Sequence, residues 1–486
     1  MGSKPDLKYR IAAIAAAILL STAAYFWSSG LHPVWWLIWF APLPILLLAP
    51  RVKAWITVIA AFAARAIGAL DMWQYLYQRL HFSLSFVLMS VLEPAAVFTI
   101  AVLLYRSFFC RGERWRAVLT FPAVIVAAEY LFSLSQGTFF SIAYTQLTDL
   151  PILQLGALTG LWGISFTVML FPVMLAAAFL SQGAVRSRMA IVLTIFLVCV
   201  TAYGAWRLHA TPNTSQSVMV GLADSDLPRN TFPQDPQPTM ALMRGYAEQV
   251  QKLAAQGAKF IVLPEMTAVV PDTISGQIDA LFQDAAHRAG AQVLLGILHV
   301  TAGAAYNEAR LYSASGEIET VYRKHHLVPG FEARTTPGND ISILPQPVGT
   351  IGVQICRDMD YTDLARRYGG KDVGLLLVPA WDFDIDRSWH GHMALMRGVE
   401  NGFSIVRTAK QGLLTVSDDR GRILSEARTT PSSDFTTLVT TVPVRHDTTF
   451  YQKWGDWFAW LELAGIVALL VLLVKRSPKV LPPSFS

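Results

Sequence analysis

Charged residues are scarce in this chain. Only 15% of its 486 residues are Asp, Glu, Lys or Arg, whereas 53% are hydrophobic and the mean hydropathy is +0.40. Soluble globular domains carry about a quarter charged residues. The composition therefore excludes an ordinary soluble protein and indicates a membrane protein.

Cysteines are also few, and Cys110, Cys199 and Cys356 lie in three different regions. Cys199 falls in an apolar run and Cys110 beside a basic loop, so neither is a suitable disulfide partner for Cys356 in the globular part of the chain. This excludes a disulfide-stapled scaffold and leaves one unpaired thiol in that part. Taken alone, the thiol is consistent with a core cysteine as well as with a nucleophile.

Spacings typical of metal ligands are lacking too. His325 and His326 are adjacent, but no paired Cys, His or carboxylate positions accompany them. The sequence therefore predicts neither a metal nor an organic cofactor, and it suggests no nucleic-acid partner.

Long apolar runs fill the first 207 residues and return near the end of the sequence. A helix needs about 20 predominantly apolar residues to cross the hydrocarbon core of a bilayer. Eight runs approach that length, at 11–29, 34–50, 54–72, 85–105, 117–135, 159–180, 189–206 and 457–474. They predict a polytopic α-helical membrane domain, with seven spans in residues 1–210 and an eighth span followed by a tail in residues 450–486.

Lysine and arginine residues concentrate in alternate loops between these runs. Short loops rich in such residues stay on the cytoplasmic side of a membrane. If all eight spans are real, one side carries Lys4, Lys8, Arg10, Arg51, Lys53, Arg106, Arg111, Arg114, Arg116, Arg186, Arg188, Lys475, Arg476 and Lys479. The distribution predicts cytoplasmic termini and a globular domain on the outer face.

Residues 215–445 show a different pattern, in which short apolar segments alternate with amphipathic ones. Strands that alternate with helices predict a sheet covered by helices. Three of the predicted strands lead to a residue with useful chemistry, namely Glu265, Lys324 and Cys356. Sites in such sheets form beyond the carboxyl ends of strands, so we expect these three side chains to converge.

A carboxylate, an ammonium and a thiol together suit acyl transfer through a thioester. Glu265 can take the proton of Cys356 and return it to a leaving group. Lys324 can favour the thiolate and stabilise an oxyanion, with the backbone N–H after the cysteine as a second donor. Each residue alone has an ordinary structural explanation, as a helix cap, a solvated cation or a core cysteine. Only the combination is specific.

Three stretches of the sequence carry a resemblance to a known family. They are Leu263-Pro264-Glu265, Tyr322-Arg323-Lys324-His325-His326-Leu327-Val328-Pro329-Gly330-Phe331-Glu332 and Ile355-Cys356. They resemble the signature motifs of the carbon–nitrogen hydrolase (nitrilase) superfamily, and the flanking apolar runs narrow the resemblance to its apolipoprotein N-acyltransferase branch. The resemblance implies an αββα sandwich over residues 215–445, on the periplasmic face of a bacterial inner membrane.

The same resemblance implies a function and a role for each site residue. Cys356 would take an acyl chain from a phospholipid as a thioester and pass it to the α-amine of a diacylglyceryl-cysteine at a lipoprotein N-terminus. Glu265 would be the general base and Lys324 the oxyanion stabiliser. Glu332 matches the family's second essential carboxylate, and Asn307 matches its active-site asparagine.

The two residues after the nucleophile depart from the family pattern. Arg357 and Asp358 stand where an aromatic residue and a glutamate are usual, so Asp358 would replace the glutamate and Arg357 places a cation beside the thiol. The stretch from Glu332 to Cys356 is also short, which indicates a reduced apolar lid over the acyl chain. A membrane-tethered amidase, or an acyltransferase for a different amine, therefore stays open. A transporter or scaffold with an inactive hydrolase-like domain is disfavoured, because all three motif residues are retained.

Overall fold

Apolar helices make up the N-terminal part of the chain in the computed structural model, which describes residues 7–28, 31, 34–210 and 216–475. In chain order they are α1 (Leu7–Ser28), α2 (Leu43–Leu48), α3 (Ala54–Gly68), α4 (Leu84–Cys110), α5 (Arg114–Gln136), α6 (Leu150–Leu153), α7 (Gly156–Thr159), α8 (Leu161–Phe179) and α9 (Gly183–His209). Short 3-10 and π-helical turns join several of them.

Strands and helices alternate after α9, as predicted. The strands are β1 (Gln216–Asp224), β2 (Phe260–Val262), β3 (Val269–Pro271), β4 (Gln292–Val300), β5 (Ala305–Tyr312), β6 (Ile318–Arg323), β7 (Ser342–Gln346), β8 (Gly349–Val353), β9 (Leu375–Trp381), β10 (Ser404–Lys410), β11 (Leu413–Ser417), β12 (Ile423–Arg428) and β13 (Thr436–Val444). The helices are α10 (Pro236–Ala255), α11 (Asp272–Ala289), α12 (Thr362–Gly369), α13 (Arg387–Asn401), α14 (Phe450–Trp454) and α15 (Trp457–Lys475).

The chain forms two compact units. One unit contains most of the N-terminal helices together with α15, and the other contains Trp206–Gly455 with the short segment Gly156–Leu158.

The second unit is a four-layer sandwich. Seven strands form one sheet, in the order β13-β1-β2-β4-β5-β6 with β3 paired to β4, and we call it sheet A. Six strands form sheet B, in the order β12-β11-β10-β9-β8-β7. Apolar side chains of both sheets share one core between them. The outer faces of the sheets are covered by α10 and α11 on sheet A and by α12 and α13 on sheet B, which confirms the predicted αββα arrangement.

Within the described residues, six helical segments are long and apolar enough to cross a membrane. They are Leu7–Ser28, Ala54–Arg79, Leu84–Cys110, Arg114–Gln136, Leu161–Phe179 and Gly183–His209. The other two predicted spans correspond to the shorter apolar segments Leu37–Arg51 and Trp457–Leu472, so the count of eight is not confirmed. Prolines divide the first of these into the short helix α2 and 3-10 turns, because proline lacks the N–H that a continuous helix needs. Among the basic residues used for orientation, Lys4, Arg476 and Lys479 lie outside the described residues.

A partly buried carboxylate joins three segments of the helical unit. Glu129 of α5 accepts hydrogen bonds from Ser141 Oγ (3.0 Å), Ser165 Oγ (2.7 Å) and the backbone N–H of Ile142 (2.8 Å). Ser165 lies on α8, so this carboxylate ties α5 and α8 to the turn between them. Polar groups in an apolar interior need such partners, because no water replaces them there.

Candidate active site

The chain turns sharply at Cys356. The sequence predicted a strand running up to the thiol, but β8 ends at Val353 and Cys356 begins a short 3-10 turn with φ at +43°. The strand is shorter because the N–H of Ile355 donates to the Asp358 carboxylate (3.3 Å). A non-glycine residue in this conformation is strained, and such strain concentrates at functional sites.

Four of the predicted site residues form one hydrogen-bonded cluster. Lys324 Nζ donates to Glu265 Oε1 (2.7 Å) and to Glu332 Oε2 (2.8 Å). Asn307 Nδ2 also bridges the two carboxylates, with 2.6 Å to Glu265 Oε1 and 2.6 Å to Glu332 Oε1. All four residues are at most 2% exposed. The structure therefore joins the two residues that were expected from strand ends with the two that only the resemblance had suggested.

The elements that carry this cluster explain how it assembles. Glu265 follows β2, Asn307 lies in β5 and Lys324 follows β6, all in sheet A. Glu332 reaches back from the next turn, where Val328 N–H donates to its Oε2 (2.7 Å). Neighbouring strands thus bring together residues that are far apart in the sequence.

Burial and charge set the protonation of the cluster. Burial raises the pKa of Glu265, the neighbouring Glu332 charge adds to the rise, and the Lys324 ammonium opposes it. The pKa of Lys324 is raised well above its usual value, because the two carboxylates outweigh the effect of burial. Lys324 therefore stays a cation, while Glu265 is a stronger base than an exposed glutamate.

Cys356 lies within electrostatic range of the same cluster. Burial raises the pKa of its thiol, the Glu265 carboxylate adds to the rise, and the cations Lys324 and Arg407 lower it. Its Sγ donates to the backbone oxygen of Trp381 at 3.6 Å. The resting nucleophile is thus a thiol, and it needs a base before it can react.

A second set of charged side chains comes from β10 of sheet B, the segment after β9 and the helix α13. Arg407 of β10 makes a two-pronged pair with Asp382, with N–O distances of 2.9 and 2.6 Å, and both side chains are buried. His390 Nδ1 lies 2.6 Å from Asp386 Oδ2. Burial lowers the pKa of His390, but the Asp386 and Asp382 charges outweigh it and raise the pKa to about 9. Of these groups, Arg407 lowers the pKa of the Cys356 thiol and Asp382 raises it.

Asp358 supports the site without contacting the thiol cluster. It is fully buried, and its carboxylate accepts hydrogen bonds from Tyr322 OH (2.7 Å) and from the backbone N–H groups of His325 (3.2 Å) and His326 (2.9 Å). These residues flank Lys324 in the sequence. Asp358 therefore fastens the Lys324 loop to the turn that carries Cys356.

Arg357 also holds that loop. Its guanidinium donates to the backbone oxygen of Leu327 and lies 5.6 Å from the centre of the Tyr361 ring. Lys324 and Arg407 are cations that lower the pKa of the Cys356 thiol. The expectation that Arg357 also places a charge beside the thiol stays a prediction.

Arg407, Asp382 and Lys410 were missed by the sequence reasoning. A usable signal was present, because β10 is a strand of seven buried residues that nevertheless includes an arginine and a lysine. Buried charges need partners, and they are more frequent at functional sites than elsewhere. The partners themselves lie on other strands and loops, and no local pattern identifies them.

Comparisons with known proteins agree with this geometry. Residues 225–440 match the model of the carbon–nitrogen hydrolase family, and residues 16–174 match the model of the apolipoprotein N-acyltransferase N-terminal domain. The chain belongs to the apolipoprotein N-acyltransferase branch of the carbon–nitrogen hydrolase superfamily. The two matches cover helices α2 to α7, parts of α1 and α8, and most of the sandwich.

Relatives of this N-acyltransferase branch align along most of the chain. A protein named apolipoprotein N-acyltransferase from Geobacter metallireducens is 27% identical over 527 residues, covering 97% of this chain and 96% of its own. Another with that name from Synechocystis sp. is 25% identical over 484 residues, covering 90% and 85%. Among solved structures, an amidase from Nesterenkonia sp. matches with a TM-score of 0.42 and 20% identity, over 52% of this chain and 98% of its own.

Gly296 of β4 provides a test of how closely Glu265 must be placed. A Cβ atom on Gly296 would lie 2.8 Å from Glu265 Cα, closer than real Cβ contacts. We expect Gly296→Ala to displace the Glu265 turn and to slow acyl-enzyme formation by about a hundredfold, because misplacing a reacting group by 1 Å has effects of that size. The measurement is the acylation rate of purified protein.

A matched alanine substitution controls for that experiment. Gly276 lies on the exposed side of α11, and a Cβ there would meet no other atom within 4 Å. We expect Gly276→Ala to leave the rate unchanged and to stabilise the helix by about 0.5–1 kcal/mol. Equal rates for the two variants would contradict the placement argument.

Proposed function

We propose that this chain is a membrane N-acyltransferase that moves a fatty acyl chain from a phospholipid, through a thioester on Cys356, to the α-amine of a lipoprotein N-terminal diacylglyceryl-cysteine. The observation that carries the proposal is the buried Glu265–Lys324–Glu332 cluster beside a strained thiol, in a chain whose N-terminal region matches the apolipoprotein N-acyltransferase domain.

In the first half-reaction we propose that Glu265 removes the proton of the Cys356 thiol. The sulfur then attacks the ester carbonyl carbon of the phospholipid, and the carbonyl oxygen becomes an oxyanion. Lys324 and the backbone N–H of Arg357 stabilise this negative charge. The C–O bond to the glycerol breaks, Glu265 returns the proton to the leaving alkoxide, and a lysophospholipid departs. The acyl chain stays on Cys356 as a thioester.

In the second half-reaction the neutral α-amine of the acceptor attacks the thioester carbon. The same donors stabilise the second oxyanion. When the C–S bond breaks, Glu265 transfers a proton from the new ammonium to the sulfur, which restores the thiol and leaves an amide. No external oxidant, reductant or metal is needed to balance either step.

The roles of the remaining residues follow from their contacts. Asn307 and Glu332 help to hold Glu265 and Lys324 in their relative positions. The Asn307 amide donates to Glu265 and to Glu332, and Glu332 accepts from Lys324. We assign Asp358 and Arg357 to holding the loop after Lys324 against the nucleophile's turn. These four are supporting residues in this account.

We also propose the arrangement of the chain in the membrane. Residues 1–210 would form a transmembrane domain of seven spans, residues 215–445 the catalytic domain, and residues 450–486 an eighth span with a cytoplasmic tail. The short apolar segments Leu37–Arg51 and Trp457–Leu472 would supply the second and eighth spans. The basic loops then face the cytoplasm and the catalytic domain faces the periplasm of a bacterium. Phospholipid and lipoprotein would be the partners.

The function is tested by following acyl transfer to a defined acceptor. Purified full-length protein is incubated with phosphatidylethanolamine that carries an isotope-labelled acyl chain and with a synthetic diacylglyceryl-cysteinyl peptide. We expect the peptide to gain one labelled acyl chain on its α-amine, detected by mass spectrometry.

The control uses the same peptide with its α-amine acetylated, which has no nucleophile to offer and should gain nothing. Release of labelled fatty acid without peptide acylation would support a hydrolase instead. Acylation of a soluble amine in preference to the peptide would support the acyltransferase for another acceptor.

A further inference from the structure

Lys410 is buried at the end of β10, and its ammonium binds the backbone of two loops. Nζ donates to the carbonyl oxygen of Thr231 at 2.6 Å and to that of Met266 at 2.8 Å. The side chain has no measurable exposure. Burying a lysine ammonium costs free energy of folding unless the charge has partners. The contacts of Lys410 therefore indicate a role beyond packing.

Two aromatic rings enclose the ammonium. It lies 4.5 Å from the centre of the Trp381 ring and 6.0 Å from that of Phe232, distances at which a cation is attracted to a ring face. The backbone oxygen of Trp381 accepts from the Cys356 thiol. Lys410 thus packs on the residue that contacts the nucleophile.

The Met266 carbonyl belongs to the turn that presents Glu265. Met266 has φ at +44°, a strained conformation for a side chain of this kind. On the other side, the N–H of Glu265 donates to the Ala380 oxygen at 3.2 Å. Ala380 and Lys410 lie on adjacent strands of sheet B. The Glu265 turn, which follows a strand of sheet A, therefore makes two hydrogen bonds to sheet B, one at Glu265 and one at Met266.

Three carboxylates also act on the ammonium. Asp224 and Asp226, at and just after the end of β1, attract it, and so does Glu265. Asp226 Oδ1 accepts from the N–H of Gln411 at 2.7 Å, which keeps this carboxylate beside the end of β10. Burial outweighs these attractions and lowers the pKa of Lys410 to about 8.

We propose that Lys410 is a positioning residue, whose buried ammonium fixes the Glu265 turn of sheet A against sheet B and so sets the distance between Glu265 and Cys356. The inference rests on the proposed function, in which Glu265 serves as the base. Cys356 lies in the turn that follows β8 of sheet B. The hydrogen bond from Lys410 of sheet B to Met266 therefore helps to fix the base relative to the nucleophile.

The charge of Lys410 should matter as well as its hydrogen bonds. Charge-assisted hydrogen bonds are about twice as strong as neutral ones. When Lys410 loses its proton, its hold on the Met266 carbonyl weakens and its attraction for the ionised Glu265 disappears. Acyl-enzyme formation should therefore decline as the pH rises through about 8. Thiol and ammonium groups of Cys356 and Lys324 titrate well above that range, because the pKa of each is raised.

The test measures the rate of acyl-enzyme formation against pH, without acceptor, for full-length wild-type protein, Lys410→Met and Lys410→Arg. We expect Lys410→Met to react about 10- to 100-fold more slowly at pH 7, the range for a misplaced reacting group, and to lack the decline near pH 8. Arginine stays charged throughout the pH range measured, so Lys410→Arg should stay active at pH 7 and also lack the decline. Lys252→Met, at an exposed lysine of α10, should match the wild type.

The inference is overturned if folded Lys410→Met reacts at the wild-type rate, or if the decline near pH 8 persists in either variant, since it would then belong to another group such as His390. If Lys410→Met does not fold, the pH profile of Lys410→Arg still tests the inference, because a decline near pH 8 in that variant would contradict it. Alkylation of Cys356 by iodoacetamide, mapped by peptide mass, is followed in parallel because it needs no lipid. Wild-type protein that is alkylated but never acylated would contradict the proposed function and leave the Lys410 comparison intact.

Discussion

Cys356→Ala should abolish acyl transfer while the protein stays folded. Removing the nucleophile of a covalent mechanism lowers turnover on the order of a millionfold, which in this assay is no detectable product. The Cys356 side chain is partly exposed and its Sγ makes one long hydrogen bond, so its loss removes little packing. The measurement is acylation of the lipopeptide, together with the melting temperature of the purified variant.

Cys199→Ala is the matched control for that substitution. Cys199 is a free, exposed cysteine on α9, outside the sandwich. This variant should transfer acyl chains at the wild-type rate. Transfer by Cys356→Ala at more than trace levels would remove the thioester from the mechanism.

Glu265→Gln should have the second largest effect. A general base typically contributes about 10²- to 10⁴-fold, and we expect a loss in that range. The variant should fold, because Lys324 keeps its pair with Glu332 at 2.8 Å and one cation then balances one carboxylate. The measurement is the acylation rate between pH 4 and pH 8.

The pH dependence distinguishes the base from a structural carboxylate. Because the pKa of Glu265 is raised by burial, the wild-type rate should fall with acidification at a pH above that of an ordinary glutamate. The acidic decline should be absent from Glu265→Gln. In Glu332→Gln it should move to lower pH, because the Glu332 charge contributes to raising the pKa of Glu265. An unchanged acidic decline in Glu265→Gln would assign it to a different group.

Much of the candidate site was predictable because its residues follow strands. Glu265, Lys324 and Cys356 each come shortly after a strand, and the strands of a sandwich covered by helices bring such positions together. Asn307 and Glu332 have no such local signal. Their selection depended on the family resemblance. In the structure, the Asn307 amide donates to Glu265 and to Glu332, and Glu332 accepts from Lys324.

Other parts of the site could not be predicted, because they depend on contacts between distant segments. The pair of Arg407 with Asp382 joins two strands, and Lys410 binds backbone oxygens more than a hundred residues away in the sequence. The early end of β8 depends on a side chain as well, since the Asp358 carboxylate accepts a hydrogen bond from the N–H of Ile355.

The sequence predicted the apolar helices of the N-terminal part correctly, but it did not predict how many of them are long enough to span a membrane. Hydropathy identifies candidate spans reliably, because a helix that satisfies its own backbone hydrogen bonds in lipid appears in the sequence as one continuous apolar run. It does not show where prolines end a helix. Residues 34–50 are apolar but contain Pro42, Pro44 and Pro50, and the described helix there is only Leu43–Leu48.

The thioester on Cys356 is tested most directly by intact mass spectrometry of the full-length protein after incubation with phosphatidylethanolamine in the absence of acceptor. The account predicts one added fatty acyl mass, located on Cys356 by peptide mapping, lost on addition of a diacylglyceryl-cysteinyl peptide and absent from Cys356→Ala. Efficient transfer to the peptide with no adduct on the protein, or an adduct on a residue other than Cys356, would contradict it.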